Sequence, residues 1–185
     1  LPIKPLKGIV FSGSELQSVM EKHITHHDHP ADYLRITMLF EKPFWKSKAL
    51  HQMNSDEWES LCDGCGRCCL HKLENEDSGK IHFTDVACHY LDEEECTCPH
   101  YEDRQSYVPD CLSIKPNWGE KFNWLPSTCA YRLIYEGKDL PLWHPLISGD
   151  KNSVHLAGIS VRGRTYRDNV VANDQLFEHV ITWVD

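Results

Sequence analysis

The chain has 185 residues, with 19 Lys or Arg against 28 Asp or Glu, which gives a formal net charge of −9. This acidic balance argues against a nucleic-acid-binding protein, because phosphate contacts need a surface rich in Lys and Arg. No apolar run approaches the roughly 20 residues that span a bilayer, so we expect a cytoplasmic protein that does not contact membranes. Leu, Ile, Val and Phe number 44, above the share of roughly 20% below which disorder is expected. We therefore expect a folded chain.

The first part of the chain differs from the rest in charge. Residues 1–50 carry a net charge of +2 and residues 51–185 a net charge of −11. We interpret residues 1–37 as an N-terminal extension that is disordered or comes from an over-long gene model, since Met38 lies just before the domain. Deleting it should leave the domain intact.

Two features stand out within this extension. Leu16, Val19 and Met20 share one helical face, which favours a short helix over residues 15–23. A polar tract follows with four histidines that are candidate transition-metal ligands: His23, His26, His27 and His29. A solvated His-rich tail is the stronger interpretation of this tract, because nothing else nearby indicates a closed site.

Few periodic elements follow, and we take them in chain order. A helix is expected to begin at residues 54–57 with Ser55 as its cap and with Trp58 and Leu61 facing inward. The later elements are a polar turn over 74–79, a strand over 80–86, a helix over 130–136 capped by Thr128, a strand over 159–162 and a closing helix over 174–183. These predict a small, irregular, cysteine-rich α+β domain over residues 41–185, with a few helices and short strands organised around a metal site.

Nine cysteines fall within the 68 residues from position 62 to position 129. They are Cys62, Cys65, Cys68, Cys69, Cys88, Cys96, Cys98, Cys111 and Cys129. Their number is odd, no secretory signal is visible, and adjacent Cys68 and Cys69 are too close to form a normal disulfide. Two overlapping C-x2-C steps between Cys62 and Cys68 present sulfurs to one ion, with glycines easing the turn. We therefore predict that all nine cysteines bind metal as thiolates.

The spacing leaves the metal and the grouping open. For zinc, Cys62 and Cys65 form one pair, which either Cys96 and Cys98 or Cys88 and Cys111 complete. A C-x2-C-x2-C triplet also begins [4Fe–4S] sites, whose distant fourth cysteine precedes proline, as in Cys98-Pro99. Nine thiols allow two four-sulfur sites and one spare, or one cluster with several neighbouring thiols. We expect Cys62, Cys65 and Cys68 to converge and Cys69 to point towards later cysteines.

Other polar residues are weaker candidates. His71 follows the cluster and is a candidate nitrogen ligand, whereas His82, His89 and His100 are better interpreted as surface residues or as neighbours of the ligands. His144 is a candidate general base or a packed histidine. Arg132, Arg162 and Arg164 are candidates for a small anion site, although scattered solvated arginines are the simpler interpretation.

The segment Leu61-Cys-Asp-Gly-Cys-Gly-Arg-Cys-Cys-Leu-His-Lys72 resembles the signature of the YcgN-like bacterial cysteine-cluster proteins, which belong to the wider CxxCxxCC group of zinc- or iron-chelating domains. The likeness spans roughly residues 43–185 and excludes the first 37. It continues through the segments 86–88, 96–98, 109–111, 124–132, 136–141, 143–146 and 159–163, and all nine cysteines match cysteine positions of the pattern. The resemblance implies metal chelation and supplies no reaction.

Three functions remain open. The first is a metal-chelating protein that holds zinc, iron or an iron–sulfur cluster, with an unknown protein partner. The second is a redox or group-transfer enzyme that uses the cluster, and the third is a metal-stabilised adaptor. The sequence shows no phosphate loop, nucleophile elbow or HExxH helix, so no reaction can be assigned to the enzyme alternative.

Overall fold

A computed structural model describes residues 14–26 and 42–184, and the chain divides into two compact units, 1–41 and 42–185. In the first unit, helix α1 covers Ser14–His26. It contains the helix expected over 15–23 and extends beyond it at both ends. Leu16 and Val19 on this helix are exposed. The other expectations for residues 1–37, including the metal-binding histidine tract, lie outside the described residues and side chains.

The second unit is a small α+β domain, which confirms the predicted fold class. Its α-helices are short: α2 (Phe44–Ser47), α3 (Ser55–Ser60), α4 (Arg104–Tyr107), α5 (Ala130–Tyr135), α6 (Pro145–Ser148) and α7 (Ser153–Leu156). Its strands are β1 (Leu70–Glu74), β2 (Ile81–Ala87) and β3 (Tyr166–Arg167). The remaining regular segments are 3-10 turns at Leu50–Gln52, Arg67–Cys69, Gly119–Trp124 and Asn173–His179. No described helix is long and apolar enough to cross a membrane.

The three strands form one sheet in the order β1-β2-β3. The strands β1 and β2 are antiparallel, and the polar turn expected over 74–79 connects them. The predicted strand 80–86 lies one residue later than expected. The short strand β3 pairs in parallel with the end of β2, where Ala87 lies opposite Arg167. The cysteine loop enters this sheet directly, because Cys69 immediately precedes β1 and Cys88 immediately follows β2.

Two apolar clusters form the core. The first contains Leu61 at the end of α3, together with Phe122, Leu125 and Tyr131. The second packs beneath the sheet and contains Leu70, Phe83, Leu91 and Val161. Since Leu61 and Leu70 flank the cysteine loop, each end of that loop is anchored in a different cluster.

Two predicted caps were wrong. The helix α3 begins one residue earlier than predicted, with Asn54 as its cap: the Asn54 side chain accepts a hydrogen bond from the Glu57 N–H, and the Glu57 carboxylate accepts one from the Asn54 N–H. The cap position of α5 is Cys129. Thr128 instead accepts a hydrogen bond from the Arg67 side chain at 3.2 Å, so a long-range contact replaces the local cap.

Two predicted elements near the C-terminus also differ. Residues 159–162 form no strand, because Val161 is buried in the core and its N–H donates to the Cys65 carbonyl at 2.9 Å, outside any ladder. The closing segment is a 3-10 helix over Asn173–His179, not an α-helix over 174–183. It ends where Val180 bridges to Thr84 on β2.

Candidate metal centre

The loop from Cys62 to Cys69 is shaped by two glycines and one carboxylate. Gly64 and Gly66 have φ of 72° and 73°, a region that side chains disfavour. Between them, the Cys65 N–H donates to Asp63 Oδ1 at 3.0 Å, which is the short-range turn that aspartate favours. The chain therefore turns tightly enough to bring the cysteines of this loop together.

Two buried side chains fix the loop to distant segments. Arg67 donates from Nε to the Ile159 carbonyl at 2.6 Å. His144 is fully buried, and its Nε2 lies 3.1 Å from the carbonyl of Leu61, just before the first cysteine. Because the other ring nitrogen of His144 accepts from the Leu146 N–H at 3.2 Å, Nε2 carries the proton and donates to Leu61.

Four cysteines interact electrostatically with the Asp63 carboxylate, and we call them the first thiol group: Cys62, Cys65, Cys68 and Cys129. Among the described residues, their donor atoms do not form a cluster within 4.8 Å of one another. Cys62 is exposed at the loop surface, but desolvation of its sulfur, with the nearby charges of Cys68 and Asp63, raises its pKa to about 12. Burial and the charge of Asp63 also raise the pKa of Cys65 and of Cys129. Cys129, at the start of α5, therefore interacts electrostatically with Asp63 and Cys68 of the loop.

Four further cysteines interact electrostatically with one another, and we call them the second thiol group: Cys69, Cys88, Cys98 and Cys111. Cys111 also feels the charge of Cys68, so the two groups are not separate. Burial raises the pKa of Cys88 and of Cys111, and each of these thiols also feels the charge of Cys98. Cys69 feels the charges of Cys88 and Cys111. The Cys88 N–H donates to the Cys69 carbonyl at 3.1 Å, so a backbone hydrogen bond at the end of the sheet holds Cys69 and Cys88 next to each other.

The two groups meet at the adjacent residues Cys68 and Cys69. The pKa of Cys68 is lowered to about 7, mainly by a side-chain hydrogen bond from Cys69, with the ammonium of Lys72 also lowering it against the effect of burial. The same hydrogen bond raises the pKa of Cys69. The Lys72 Nζ donates to the carbonyls of Cys68 and Leu70 at 2.9 and 2.8 Å. A fixed positive charge therefore lies between the two groups.

A cavity of about 440 Å³ opens over both groups. Six cysteines line it: Cys62, Cys68, Cys69, Cys88, Cys98 and Cys111. Aromatic rings make up much of the remaining wall, including Trp58, Tyr90, Tyr107 and Tyr131. Solvent and solutes of moderate size can therefore reach the thiols from this side.

The donor set of the first group fits a metal ion. Asp63 is buried, and its Oδ2 has no hydrogen-bond partner among the described residues. A buried carboxylate oxygen without a partner is costly, and the charge of Asp63 also disfavours the ionisation of Cys62, Cys65 and Cys129. A divalent cation would compensate the carboxylate and draw the protons off the sulfurs. Soft thiolates with nearby oxygen are suitable for zinc or iron.

Cys96 lies in a different environment. It is buried in the second apolar cluster with a φ of 53°, next to Gly66 and Leu91. Burial raises the pKa of Cys96. The main charges that act on its thiol are those of Arg162 and Asp92, not those of other cysteines. Of the nine predicted ligands, six line one cavity, Cys65 and Cys129 interact electrostatically with Asp63 and Cys68, and Cys96 is packed in the core.

The candidate histidines separate by position. His71 and His89 both contact Asp168, through His71 Nε2 at 3.0 Å and His89 Nδ1 at 2.6 Å. Burial raises the pKa of Asp168, but hydrogen bonds from these two histidines outweigh it and hold that pKa below its usual range. His100 stacks on Tyr107 with ring centroids 3.9 Å apart. His144, with both ring nitrogens engaged, is a packed histidine in this structure.

The three candidate arginines have separate partners. Arg132 pairs with Glu136 at 2.8 Å, and Arg162 donates to the Glu94 carbonyl. Arg164 donates to the Gly158 carbonyl and lies over the Trp183 ring. Because each arginine has its own partner, the simpler interpretation of three scattered arginines describes this arrangement better than a shared anion site.

Sequence reasoning missed Asp63, Lys72 and Asp168. The sequence could have indicated the Asp63 turn, because an aspartate side chain commonly accepts a hydrogen bond from the backbone N–H two residues later. Asp168 carried no such signal, because it lies 97 residues from His71 and 79 from His89 in the chain.

The cysteine loop and both thiol groups lie largely within a recognised module. Residues 61–130 match the CxxCxxCC family model, described as a "putative zinc- or iron-chelating domain". The chain is 56% identical over 141 residues to a UPF0260 protein of Rhodopseudomonas palustris (strain BisB18), covering 76% of this chain and 83% of that protein. A UPF0260 protein of Cellvibrio japonicus (strain Ueda107) is 50% identical over 147 residues, covering 80% of this chain and 100% of that protein. The chain belongs to the UPF0260 family.

These relatives extend to other bacteria. The UPF0260 protein RL1394 of Rhizobium johnstonii is 54% identical over 141 residues, covering 76% of this chain and 89% of that protein. No solved structure matches the chain.

Proposed function

We propose that this protein chelates zinc or iron through two four-cysteine sites, the first thiol group and the second thiol group. The observation that carries the proposal is the gathering of six cysteines around one cavity, beside a buried Asp63 carboxylate oxygen that has no partner among the described residues. We assign eight cysteines to two sets of four by the charges that each thiol feels. Four thiolates are a complete tetrahedral set for zinc, and they also hold an iron–sulfur cluster.

The first group has the character of a structural site. Three of its cysteines share one loop, the fourth begins α5, and the Asp63 carboxylate lies among them. A metal there would tie the loop to the helix, and its binding energy would contribute to folding. The protein would supply four thiolates, of which Cys62 and Cys68 also line the cavity.

The second group lies under the open cavity, and here the metal would be accessible from solution. Because Lys72 lies between the groups, its ammonium offsets part of the negative charge that two sets of thiolates create. Its pKa is lowered by burial, and the thiolates act in the opposite direction.

The cellular setting is also a proposal. All nine cysteines are free thiols in this structure, and thiols persist in the reduced form in the cytoplasm. We therefore place the protein there. The motifs around the cysteines support the narrower likeness to the YcgN-like proteins within the family.

The test is metal analysis of single Cys→Ser variants after anaerobic purification. Cys62→Ser and Cys65→Ser should each lose about one equivalent of metal, since each removes one of four thiolates. Cys96→Ser is the matched control and should keep full stoichiometry. Full stoichiometry and stability in both loop variants would contradict the proposal.

The same protein should release protons when it binds metal. Because burial raises the pKa of Cys62 and Cys65, these thiols are protonated at neutral pH without metal. Metal affinity should therefore fall as pH falls, and the number of protons released should decrease in Cys62→Ser. Zinc titrations in two buffers of different ionisation enthalpy measure that number by calorimetry.

A further inference from the structure

A cluster of nitrogen and oxygen donors adjoins the second thiol group. Asp168 follows β3, and its two carboxylate oxygens accept from different partners: Oδ2 faces His71 Nε2 at 3.0 Å, and Oδ1 faces His89 Nδ1 at 2.6 Å. The His89 backbone N–H also donates to Oδ1 at 3.1 Å. Three hydrogen bonds therefore fix the direction of this carboxylate.

The sulfur of Cys88 belongs to the same cluster. The donor atoms of Cys88, His89 and Asp168 all lie within 4.8 Å of one another. Donors around a tetrahedral zinc ion are about 3.3–3.8 Å apart, given its bond lengths of roughly 2.0–2.3 Å. Side-chain movements of about 1 Å would thus bring the three atoms onto one ion. On binding, Cys88 would release its proton, and His89 Nδ1 would be unprotonated and exchange its hydrogen bond with Asp168 Oδ1 for the ion. His71 and the His89 backbone N–H would keep their hydrogen bonds to Asp168.

The backbone holds the cluster in place on both sides. The Asp168 N–H donates to the Ala87 carbonyl at 2.9 Å, and the Cys88 N–H donates to the Cys69 carbonyl at 3.1 Å. Ala87 and Cys88 are neighbours at the end of β2, so one short segment positions both the carboxylate and the thiol. Cys88 and Asp168 also line the cavity.

We propose that the second centre is dinuclear, with the Cys88 thiolate bridging two divalent metal ions. One ion is held by the second thiol group, and this part rests on the proposed function. The other ion is held by Cys88, His89 Nδ1 and the Asp168 carboxylate, and its remaining coordination position faces the cavity. Sulfur, nitrogen and oxygen together select a borderline ion such as Zn²⁺ or Fe²⁺.

His71 acts in this centre as a positioning residue. Its Nε2 contacts the carboxylate oxygen that His89 does not use, and such partners orient a metal-binding carboxylate. An open fourth position distinguishes this ion from a closed structural site and is the arrangement that metal centres use to bind water or a substrate.

A purely structural role predicts different behaviour. In that case the Asp168 network would only attach the two-residue strand β3 to the sheet, and metal content would not depend on it. A matched pair elsewhere on the sheet provides the control: His179 Nδ1 contacts Asp85 Oδ1 at 2.7 Å, and no cysteine joins this pair in a candidate metal cluster of the described residues.

The experiment counts zinc in reduced, metal-free full-length protein titrated with Zn²⁺ under anaerobic conditions. Wild type should bind three equivalents, and Asp168→Asn and His89→Gln should each bind two. The control Asp85→Asn should bind three. His71→Gln should still bind three, with affinity for the third weakened about 10–100-fold.

Each outcome bears on one proposal. Two equivalents in wild type, or three in Asp168→Asn, would overturn the dinuclear centre and leave the two four-cysteine sites standing. Fewer than two equivalents in wild type would instead overturn the proposed function. Asp168→Asn and His89→Gln change different ligands, so loss of the third equivalent in both is not explained by misfolding of one variant. The circular dichroism spectra of both variants should match that of wild type.

Discussion

Replacing His144 should destabilise the domain at the point where the cysteine loop begins. The ring is fully buried, donates to the Leu61 carbonyl and accepts from the Leu146 N–H. His144→Ala leaves both backbone groups buried without partners, at about 1–3 kcal/mol each, and removes the packing of the ring. We expect a loss of about 3–5 kcal/mol in the free energy of unfolding. His144→Gln, which keeps one polar contact, should lose about half as much.

The pH dependence gives an independent check on the same residue. Burial lowers the pKa of His144 below the 6.5 of an exposed histidine, so the unfolded chain binds a proton that the folded chain does not. Wild-type stability should therefore fall as pH drops below about 6.5, by up to about 1.4 kcal/mol per pH unit from this group until its folded pKa is reached. His144→Gln lacks this loss, so its stability deficit should narrow between pH 7.5 and pH 5.5.

Urea denaturation of metal-loaded protein measures both effects, with His51→Ala as the control at an exposed position. An exposed substitution should stay within about 0.5 kcal/mol of wild type. If His144→Ala were as mild as the control, the buried hydrogen bonds would carry no energetic weight. If the deficit of His144→Gln did not narrow at low pH, the assignment of a neutral buried imidazole would be refuted.

Two further predictions concern the loop and the extension. Gly66→Ala should lower the free energy of unfolding in urea by about 1–3 kcal/mol more than Gly64→Ala does. A Cβ at Gly66 would lie 2.8 Å from Val161 Cγ2, whereas a Cβ at Gly64, at nearly the same φ, meets nothing within 4 Å. Equal losses in the two variants would contradict this packing argument. Deleting residues 1–37 should leave zinc content and melting temperature unchanged, as the charge break near residue 50 and the limits of the family resemblance suggest; a clear drop in either would show that the extension stabilises the domain.

The parts of the fold that local sequence encodes were predictable. The two C-x2-C steps with their glycines indicated the tight loop, and the strand-like segment 80–86 indicated the longest strand. The predicted turn over 74–79 was also correct. These features depend on residues within a few positions of one another, where turn chemistry and periodicity act directly.

Long-range features escaped prediction for a physical reason. The two-residue strand β3 has no periodicity to detect, and it forms because the end of β2 offers free backbone groups. Thr128 had the right chemistry for a helix cap, but its hydroxyl oxygen accepts a hydrogen bond from buried Arg67, which lies 61 residues away in the chain. Such tertiary contacts outweigh local preferences, and the neighbouring residues carry no pattern that predicts them.

The register of the sheet explains why the adjacent cysteines serve different groups. Cys68 ends the glycine-shaped loop, so its neighbours are Cys62 and Cys65 of the same loop. Cys69 precedes β1, and because Leu70 lies opposite Ala87, the residue before one strand lies beside the residue after the other. That pairing places Cys88 next to Cys69, although 18 residues separate them in the chain. Loop geometry therefore positions Cys62, Cys65 and Cys68, whereas strand register positions Cys69 and Cys88. The remaining members, Cys129, Cys98 and Cys111, come from segments outside the loop and the sheet.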